Sequence, residues 1–329
     1  MVCSVAVRRQ RSCLTGNGQG ERKKKVKITE PSNEAAEWER SMHFQWYPGH
    51  MTKARRMMQE NIKLIDLIIE LTDARHPLSS RNPDIDELGM KKVLLILVNK
   101  ADLAEEALSD EWVDYFRGKG YSAVKVNSKK GGGIKSIQSV IQEACREKME
   151  RDRKRGILNR PVRAMVVGIP NVGKSTFINS LAGKACAKTG NKPGVTKGKQ
   201  WIRLNKNVEL LDTPGILWPK FEDQEVGLKL AFIGSIKDEI LQTEELAAEL
   251  VKFMNISYPG TLEEKYSIPS SEDAYECLRN IAESRHCLVR GSELDTEKAA
   301  SILLDDFRGG KLGRITLEKP EASQDGRHQ

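Results

Sequence analysis

The sequence predicts an α/β protein in which a doubly wound sheet domain is followed by a small all-α domain. Short apolar runs rich in β-branched residues alternate with segments of helical periodicity from residue 42 to about residue 221. The runs are apolar without alternation, which is typical of parallel strands covered by helices on both faces. From residue 222 to about residue 318 the strand-like runs stop, whereas the helical patterns continue. This change sets the predicted domain boundary.

The predicted elements of the first domain alternate between strand and helix. Helices are predicted at residues 51–62 and 105–117, from 134 to the charged run at 151–155, and from 174. Strands are predicted at residues 64–71, 93–98, 123–126, 163–167, 200–204 and 208–211. In the second domain, Pro and Gly interrupt the helical pattern near residues 258–260 and 268–269.

Both ends of the chain lack hydrophobic periodicity. Residues 1–41 are rich in Arg, Lys, Gly and Ser, and we expect a basic, disordered extension there. A transit peptide, a flexible basic arm and an extension ahead of an internal start at Met42 are the alternative interpretations. We expect residues 319–329 to form a flexible tail.

The composition excludes two classes of protein. The 329 residues are 39% hydrophobic, which suffices for a core. No stretch approaches the roughly 20 apolar residues that a membrane-spanning helix needs. The six cysteines are scattered, and none forms a Cys-x-x-Cys pair or lies at zinc-ligand spacing from a histidine. We therefore expect neither an integral membrane protein nor a disulfide-rich secreted domain, and a reducing compartment is favoured.

The charge is distributed unevenly along the chain. Residues 42–220 hold 32 Lys and Arg against 19 Asp and Glu, a net charge of +13. Residues 221–329 hold 13 against 22, a net charge of −9. The basic part is a candidate for contact with a polyanion through the release of counterions from phosphates. Solubility alone is the alternative interpretation.

The most specific motif is a phosphate-binding loop at residues 168–175, which read Gly-Ile-Pro-Asn-Val-Gly-Lys-Ser. It fits the pattern G-x-x-x-x-G-K-[ST] and lies between a predicted strand and a predicted helix, as its mechanism requires. Backbone N–H groups would wrap the phosphates at the helix N-terminus. Lys174 would reach the β- and γ-phosphates, and Ser175 would ligate Mg²⁺. The predicted phosphate-binding residues are Asn171, Val172, Gly173, Lys174, Ser175 and Thr176.

Two further elements complete the predicted phosphate site. The residues Asp-Thr-Pro-Gly at 212–215 follow the next apolar strand. Asp212 is expected to hold Mg²⁺ through its water shell, and the N–H of Gly215 to sense the γ-phosphate. Thr196 lies between the two motifs and is predicted to cap Mg²⁺ as the first switch. An ordinary loop threonine is the alternative.

The choice of base is predicted by Asn99-Lys100-Ala101-Asp102 at the end of another apolar strand. The carboxylate of Asp102 can accept hydrogen bonds from the ring N–H and the exocyclic amine of guanine, which adenine does not offer at those positions. Asn127 and Ser128 end a further strand and would support the base. Together with the phosphate-binding loop, this motif makes GTP and GDP the expected ligands.

The order of the motifs differs from the common GTPase arrangement, because Asn99 precedes Gly168 by 69 residues. An open α/β sheet binds its ligand at the carboxyl ends of its strands. A circularly permuted chain therefore builds the same crevice if the original termini lie close together. Residues 157–161 would form the join.

With this order, the chain resembles the circularly permuted GTPases, and most closely the RbgA/YlqF type of bacterial ribosome-assembly GTPase. The resemblance spans residues 44 to about 318. It rests on the permuted order, the helical tail, Trp-Tyr-Pro-Gly-His-Met at 46–51, Asp-Ala-Arg at 73–75 and Asp-Thr-Pro-Gly-Ile-Leu-Trp-Pro-Lys-Phe at 212–221. It implies a P-loop GTPase that binds a late large-subunit precursor through rRNA and ribosomal proteins, and that couples GTP hydrolysis to maturation and release. We expect a monomer with no membrane partner, in a bacterial cytoplasm or, less favoured, an organelle matrix.

The resemblance also bears on catalysis. Ile216 stands where Ras-like GTPases carry the glutamine that orients the attacking water. Another group must therefore orient the water in this chain. His50, in the Pro-Gly-His turn at residues 48–50, is the candidate water positioner, and a structural or exposed histidine is the alternative. In related GTPases an asparagine in the phosphate-binding loop helps to hold K⁺. The resemblance therefore implies K⁺ near Asn171, with satisfied turn geometry as the alternative.

Other interpretations stay open. Asp73 and Arg75 end a predicted strand, and they form either a nucleotide or rRNA contact or a structural ion pair. The protein as a whole could instead be a stand-alone GTP-dependent signalling switch with a protein partner. A metabolic enzyme would need an additional catalytic constellation, and the five histidines are dispersed without paired acids near them.

Overall fold

The described part of the sheet domain contains a six-stranded sheet. The computed structural model describes residues 47–157, 160–187, 199–219, 221 and 223–320. The strands are β1 Leu67–Asp73, β2 Val93–Asn99, β3 Ser122–Lys125, β4 Val162–Val167, β5 Gln200–Arg203 and β6 Val208–Asp212, in the spatial order β3-β2-β1-β4-β6-β5. The predictions for residues 1–41, for Thr196 and for residues 321–329 lie outside the described residues.

The strand directions confirm the predicted doubly wound sheet. Strands β1, β2, β3, β4 and β6 run parallel, whereas β5 pairs antiparallel with β6. The antiparallel edge follows from the connection at residues 204–207, which is far shorter than a parallel crossover of about a dozen residues requires. Strand β1 is buried along its whole length and forms the centre of the sheet.

Among the described residues, six α-helices accompany the sheet: α1 Gly49–Asn61, α2 Pro83–Gly89, α3 Glu106–Gly118, α4 Ile137–Ala144, α5 Arg146–Lys154 and α6 Lys174–Ala182. The single helix predicted from residue 134 to 155 is wrong in detail, because the backbone leaves helical geometry at Cys145 and separates α4 from α5. Helix α2 was not predicted, because it is too short for a periodic signal. Asn82 caps α2 by accepting from the N–H of Asp84, and Pro83 opens it.

The helical region, residues 223–311, contains α7 Gln224–Phe232, α8 Thr243–Ser257, α9 Thr261–Tyr266, α10 Ala274–Ser284 and α11 Thr296–Arg308. Helix α8 packs against α10 and α11, and Val251 and Met254 of α8 and Leu303 of α11 are buried. The predicted interruption near 258–260 coincides with the gap between α8 and α9. There Gly260 adopts a positive φ of 82° that favours glycine.

The last described segment returns to the sheet domain, and we call residues 312–318 the C-terminal strap. The N–H of Ile315 donates to the carbonyl of Leu103 at 3.0 Å, and the N–H of Leu317 donates to the carbonyl of Arg75 at 2.6 Å. The strap is not helical, although residues up to 318 were predicted to belong to the helical domain. The exact domain boundaries stay a prediction.

All described residues belong to one compact unit. None of their helices combines the length with the apolar character that a crossing of a lipid bilayer demands.

Candidate nucleotide site

The predicted motifs meet at one edge of the sheet. In the parallel register, Asp73 at the end of β1 is the partner of Asn99 at the end of β2, and Val166 of β4 is the partner of Asp212 at the end of β6. The phosphate-binding loop follows β4 directly. The strand order reverses between β1 and β4, in the middle of this edge. Open α/β sheets bind ligands at such a topological switch point.

The phosphate-binding loop is closely packed around two glycines. Gly168 has a φ of 143°, and a Cβ there would lie 2.5 Å from the carbonyl oxygen of Leu71. Gly173 has a φ of 95°, and a Cβ there would lie 2.5 Å from the amide nitrogen of Asn99. No larger residue fits either position without displacing backbone or the base motif. Helix α6 then begins at Lys174, so the N–H groups of its first turn lie next to the loop.

Lys174 lies across its own loop. Its Nζ donates to the carbonyls of Gly168 at 3.0 Å and Ile169 at 2.7 Å. Burial lowers the pKa of this amine to about 8, against the opposing effect of Asp212. A Cβ on Gly215 would lie 2.8 Å from the same Nζ. The Asp-Thr-Pro-Gly motif therefore touches the phosphate-binding loop at this lysine.

The carboxylate of Asp212 is buried with its Oδ1 unpaired within the described part of the chain. Burial raises the pKa of this group to about 6, although Lys174 opposes the shift. A buried carboxylate oxygen without a partner suits a divalent cation that takes its other ligands from phosphate and water. Ser175 is the second residue of α6, beside the loop. Groups of three or more His, Cys, Asp or Glu able to hold a metal by themselves are absent from the described residues.

The base motif is tied to the phosphate-binding loop by Asn99. Its Nδ2 donates to the carbonyl of Val172 at 2.7 Å, and its Oδ1 accepts from the N–H and the hydroxyl of Ser128 at 3.1 and 2.7 Å. Asn127 does not share this contact, because its Oδ1 accepts from the N–H of Lys130 and stabilises the turn. Asn99, at the end of β2, therefore joins the loops that follow β3 and β4.

Asp102 lies at the rim of this edge. Its side chain is partly exposed, and its Oδ2 is 3.6 Å from the Nζ of Lys130. A carboxylate at the rim retains acceptor capacity for a ligand, and its part in base recognition stays a prediction.

The comparisons with known proteins identify the family. A family model described as 50S ribosome-binding GTPase matches residues 163–270. Ribosome biogenesis GTPase A of Bacillus cereus is 50% identical over 281 residues, covering 85% of this chain and 95% of that protein. This chain belongs to the ribosome biogenesis GTPase A family. The family resemblance inferred from the motifs is thus confirmed, and the chain is a GTP-hydrolysing enzyme that binds guanine nucleotides.

Less similar proteins match this chain over nearly the same share of its length. Mitochondrial ribosome-associated GTPase 1 of Mus musculus is 36% identical over 297 residues, covering 83% of this chain and 90% of that protein. The crystal structure of GNP-bound YlqF from Thermotoga maritima is 28% identical, with a TM-score of 0.61, and covers 82% of this chain and 99% of that one. The permuted order of motifs is therefore embedded in a fold that YlqF shares over most of the chain.

The neighbourhood of His50 adjoins residues 213–217, which we call the switch segment because they contain Gly215, the predicted sensor of the γ-phosphate. His50 is exposed in the first turn of α1. The next residue, Met51, is buried, and its sulfur accepts from the N–H of Leu217 at 3.4 Å. Ile216 is also buried, and its carbonyl accepts from the amide of Asn82. In this member of the ribosome biogenesis GTPase A family, Ile216 therefore faces the core, while His50 lies one residue from a contact with the switch segment.

The helical region contacts the phosphate-binding loop in two places. The Nδ2 of Asn171 donates to the carbonyl of Gly234 at 2.5 Å, and the hydroxyl of Ser235 donates to the carbonyl of Pro170 at 2.7 Å. Arg308 of α11 supports the same turn by donating to the carbonyls of Ala231 and Phe232 at 2.9 Å each. The end of α7 is therefore attached directly to the loop.

The Asp-Ala-Arg motif forms a buried ion-pair cluster, which the sequence left undecided. Arg75 donates to both carboxylate oxygens of Asp73, and Lys100 lies 3.0 Å from the same group. Burial would raise the pKa of Asp73, but the adjoining Arg75 and Lys100 cations hold it well below its usual value. His76 is fully buried beside them, and burial lowers its pKa to about 3. The structural ion pair is the alternative that the geometry supports.

Proposed function

We propose that this protein binds a late precursor of the large ribosomal subunit and couples GTP hydrolysis to the maturation of that particle and to its own release. The observation that supports the coupling is a pair of hydrogen bonds, from Asn171 to Gly234 and from Ser235 to Pro170. They join the phosphate-binding loop to the helical region. Relatives named ribosome biogenesis GTPase A support the ribosomal assignment. The net charge of +13 on residues 42–220 supports contact with rRNA.

In this proposal the phosphates occupy the loop at residues 168–175, with Lys174 against the β- and γ-phosphates. Ser175, Asp212 and Thr196 would hold Mg²⁺, and the unpaired Oδ1 of Asp212 supports this role. Mg²⁺ neutralises negative charge on the phosphates. The N–H groups of Val172, Gly173 and Thr176 would add hydrogen bonds at the start of α6.

Guanine recognition rests on the base motif. Asp102 would accept from the ring N–H and the exocyclic amine of guanine. Asn99 and Ser128 would hold the base loop against the phosphate-binding loop through the hydrogen bonds that join them. Lys100 would flank the base, and Asn127 would maintain the supporting turn.

His50 is our candidate for positioning the attacking water. The burial of Ile216 removes the residue after Gly215 from this task, and the contact between Met51 and Leu217 brings the start of α1 to the switch. Slow turnover is expected until the particle fixes His50. We further propose that K⁺ binds near Asn171 of the phosphate-binding loop.

The experiment measures GTP turnover with and without purified large ribosomal subunits, in K⁺ and in Na⁺ buffer. A stimulation of about tenfold or more by the particle, ~1.4 kcal/mol of added transition-state stabilisation, is expected. His50→Ala should abolish the stimulation while GTP still binds. Equal rates in K⁺ and Na⁺ would remove the cation from the proposal.

A stand-alone signalling switch is the competing function. It predicts intact GTP binding, no stimulation by the particle and no co-sedimentation with it. Co-sedimentation that weakens steeply with salt would favour the ribosomal function, because phosphate contacts release counterions. We propose a monomer in a bacterial cytoplasm; an organelle matrix is the alternative that the mouse mitochondrial relative suggests.

A further inference from the structure

One buried carboxylate at the nucleotide edge holds two cations. Asp73 ends β1 and is fully buried. Its Oδ1 accepts from Nε of Arg75 at 2.9 Å, and its Oδ2 accepts from Nη2 of Arg75 at 2.8 Å. The same Oδ2 lies 3.0 Å from Nζ of Lys100. Asp73 therefore bridges an arginine of its own loop and the lysine of the base motif.

The backbone directs Lys100 toward this carboxylate. Asn99 is the register partner of Asp73, and the N–H of Ala74 donates to the carbonyl of Asn99 at 2.8 Å. Lys100 follows with a φ of 60°, which turns the chain at this point. Burial lowers the pKa of its ammonium, and the charge of Asp73 opposes that effect. A partly desolvated ammonium needs an anion to stay in one place, and Asp73 supplies it.

Arg75 connects the same anion to the helical region. Its Nη1 donates to the carbonyl of Phe307 at 3.3 Å, and its guanidinium carbon lies 5.0 Å from the centre of the Phe307 ring. The Asp73 carboxylate therefore holds Arg75, which reaches α11, with both oxygens, and it holds Lys100 of the base motif with Oδ2.

We propose that Asp73 is a positioning residue for the guanine site, acting through Lys100. The inference rests on the proposed function, in which the base motif binds guanine. With its ammonium held at Asp73, Lys100 offers its apolar stem, not its charge, to the flat face of the purine. Without Asp73 the ammonium turns to solvent, the stem loses its fixed position, and the nucleotide binds more weakly.

The test is a double-mutant cycle on the affinity for fluorescently labelled GDP. Asp73→Asn alone should weaken GDP binding about tenfold, within the range of coupling seen for residues of one ion-pair network. In a Lys100→Met background the same substitution should weaken binding by less than about twofold, because the residue through which Asp73 acts is gone. Equal losses in both backgrounds would overturn the proposal.

A matched control separates positioning from general stability. Asp66 is a buried carboxylate at the opposite end of the same strand, and it also holds two cations, Lys148 and Arg160, at 3.1 Å each. Asp66→Asn should lower the thermal midpoint and leave the GDP affinity unchanged. A loss of affinity in Asp66→Asn as large as that in Asp73→Asn would overturn the proposal.

A second variant guards against misfolding, because Asp73→Asn leaves Arg75 buried without its anion. Removing both charges of a buried pair is far milder than removing one. The Asp73→Asn/Arg75→Met variant should fold and retain the tenfold loss, whereas Arg75→Met alone should bind GDP within about twofold of the wild type. A tenfold loss in Arg75→Met would assign the effect to Arg75 and overturn the proposal.

Asp102→Asn distinguishes this inference from the proposed function. If Asp102→Asn keeps the full preference for GDP over ADP, the proposed base site itself is wrong. If that variant loses the preference while Asp73→Asn binds GDP as the wild type does, the base site stands and only the role of Asp73 fails.

Discussion

The side-chain amide of Asn171 donates a hydrogen bond to the backbone carbonyl of Gly234, with 2.5 Å between nitrogen and oxygen. Asn171 belongs to the phosphate-binding loop, and Gly234 follows the last turn of α7. A single side chain therefore connects the loop to the helical region. Any movement of the loop that accompanies the nucleotide has a direct contact through which to reach the helices.

Ser235→Ala tests the strength of this attachment. The substitution leaves the buried carbonyl of Pro170 without its 2.7 Å partner, and an unsatisfied buried acceptor costs about 1–3 kcal/mol. We expect that loss in the free energy of unfolding by urea, together with a changed GDP affinity. Ser139→Ala, which removes an exposed hydroxyl from a local bond to Ser136, is the control. If both variants lose stability equally, the bond from Ser235 to Pro170 stabilises the protein no more than an exposed local hydrogen bond does.

The nucleotide state should change the position of the helical region. Lys174 now donates to the carbonyls of Gly168 and Ile169, and a γ-phosphate would draw its ammonium away from them. Gly215 lies against this ammonium, and the chain runs from there into α7. Small-angle X-ray scattering of the GTP-analogue and GDP forms should give different curves. Superimposable curves would contradict the coupling.

The stability should fall with acid because of His76. Burial lowers the pKa of His76 to about 3, against an ordinary value of 6.5. The unfolded chain therefore binds the proton first as the pH falls below 6.5, and this stabilises the unfolded state until the pH approaches 3. Between pH 7 and pH 5 the loss is about 2 kcal/mol. His76→Leu should remove that part of the slope in urea titrations, and an unchanged slope would show that His76 is not responsible.

The C-terminal strap should contribute measurably to the free energy of unfolding of the sheet domain. The carboxylate of Glu318 accepts from the N–H groups of Leu78 and Ser79, and its carbonyl accepts from Trp112 at 3.1 Å. Glu318→Ala leaves both N–H groups without this acceptor, so we expect a loss of about 1–3 kcal/mol in thermal or urea unfolding. Lys319→Ala is the neighbouring control. A Glu318→Ala variant as stable as the wild type would show that water replaces the carboxylate.

Several elements could be predicted because their signals are local. The strands β1, β2, β4 and β6 lie in predominantly apolar runs, and the prediction placed them within a few residues of their observed bounds. The helix beginning at Lys174 follows from its motif. Helix α2 and the break at Cys145 were missed because neither a seven-residue helix nor a local change of backbone angle leaves a periodic pattern.

The sequence by itself determined the chemistry at the edge of the sheet: the phosphate-binding loop, the base motif, their permuted order and the family. Such motifs need particular residue types at fixed spacing, so they can be recognised without coordinates. Only the tertiary structure decided that Asp73 joins Arg75 to Lys100, that Asn171 reaches Gly234 and that the strap returns to Leu103. These contacts join residues on separate elements or in neighbouring loops, and no local pattern encodes them because packing alone brings them together.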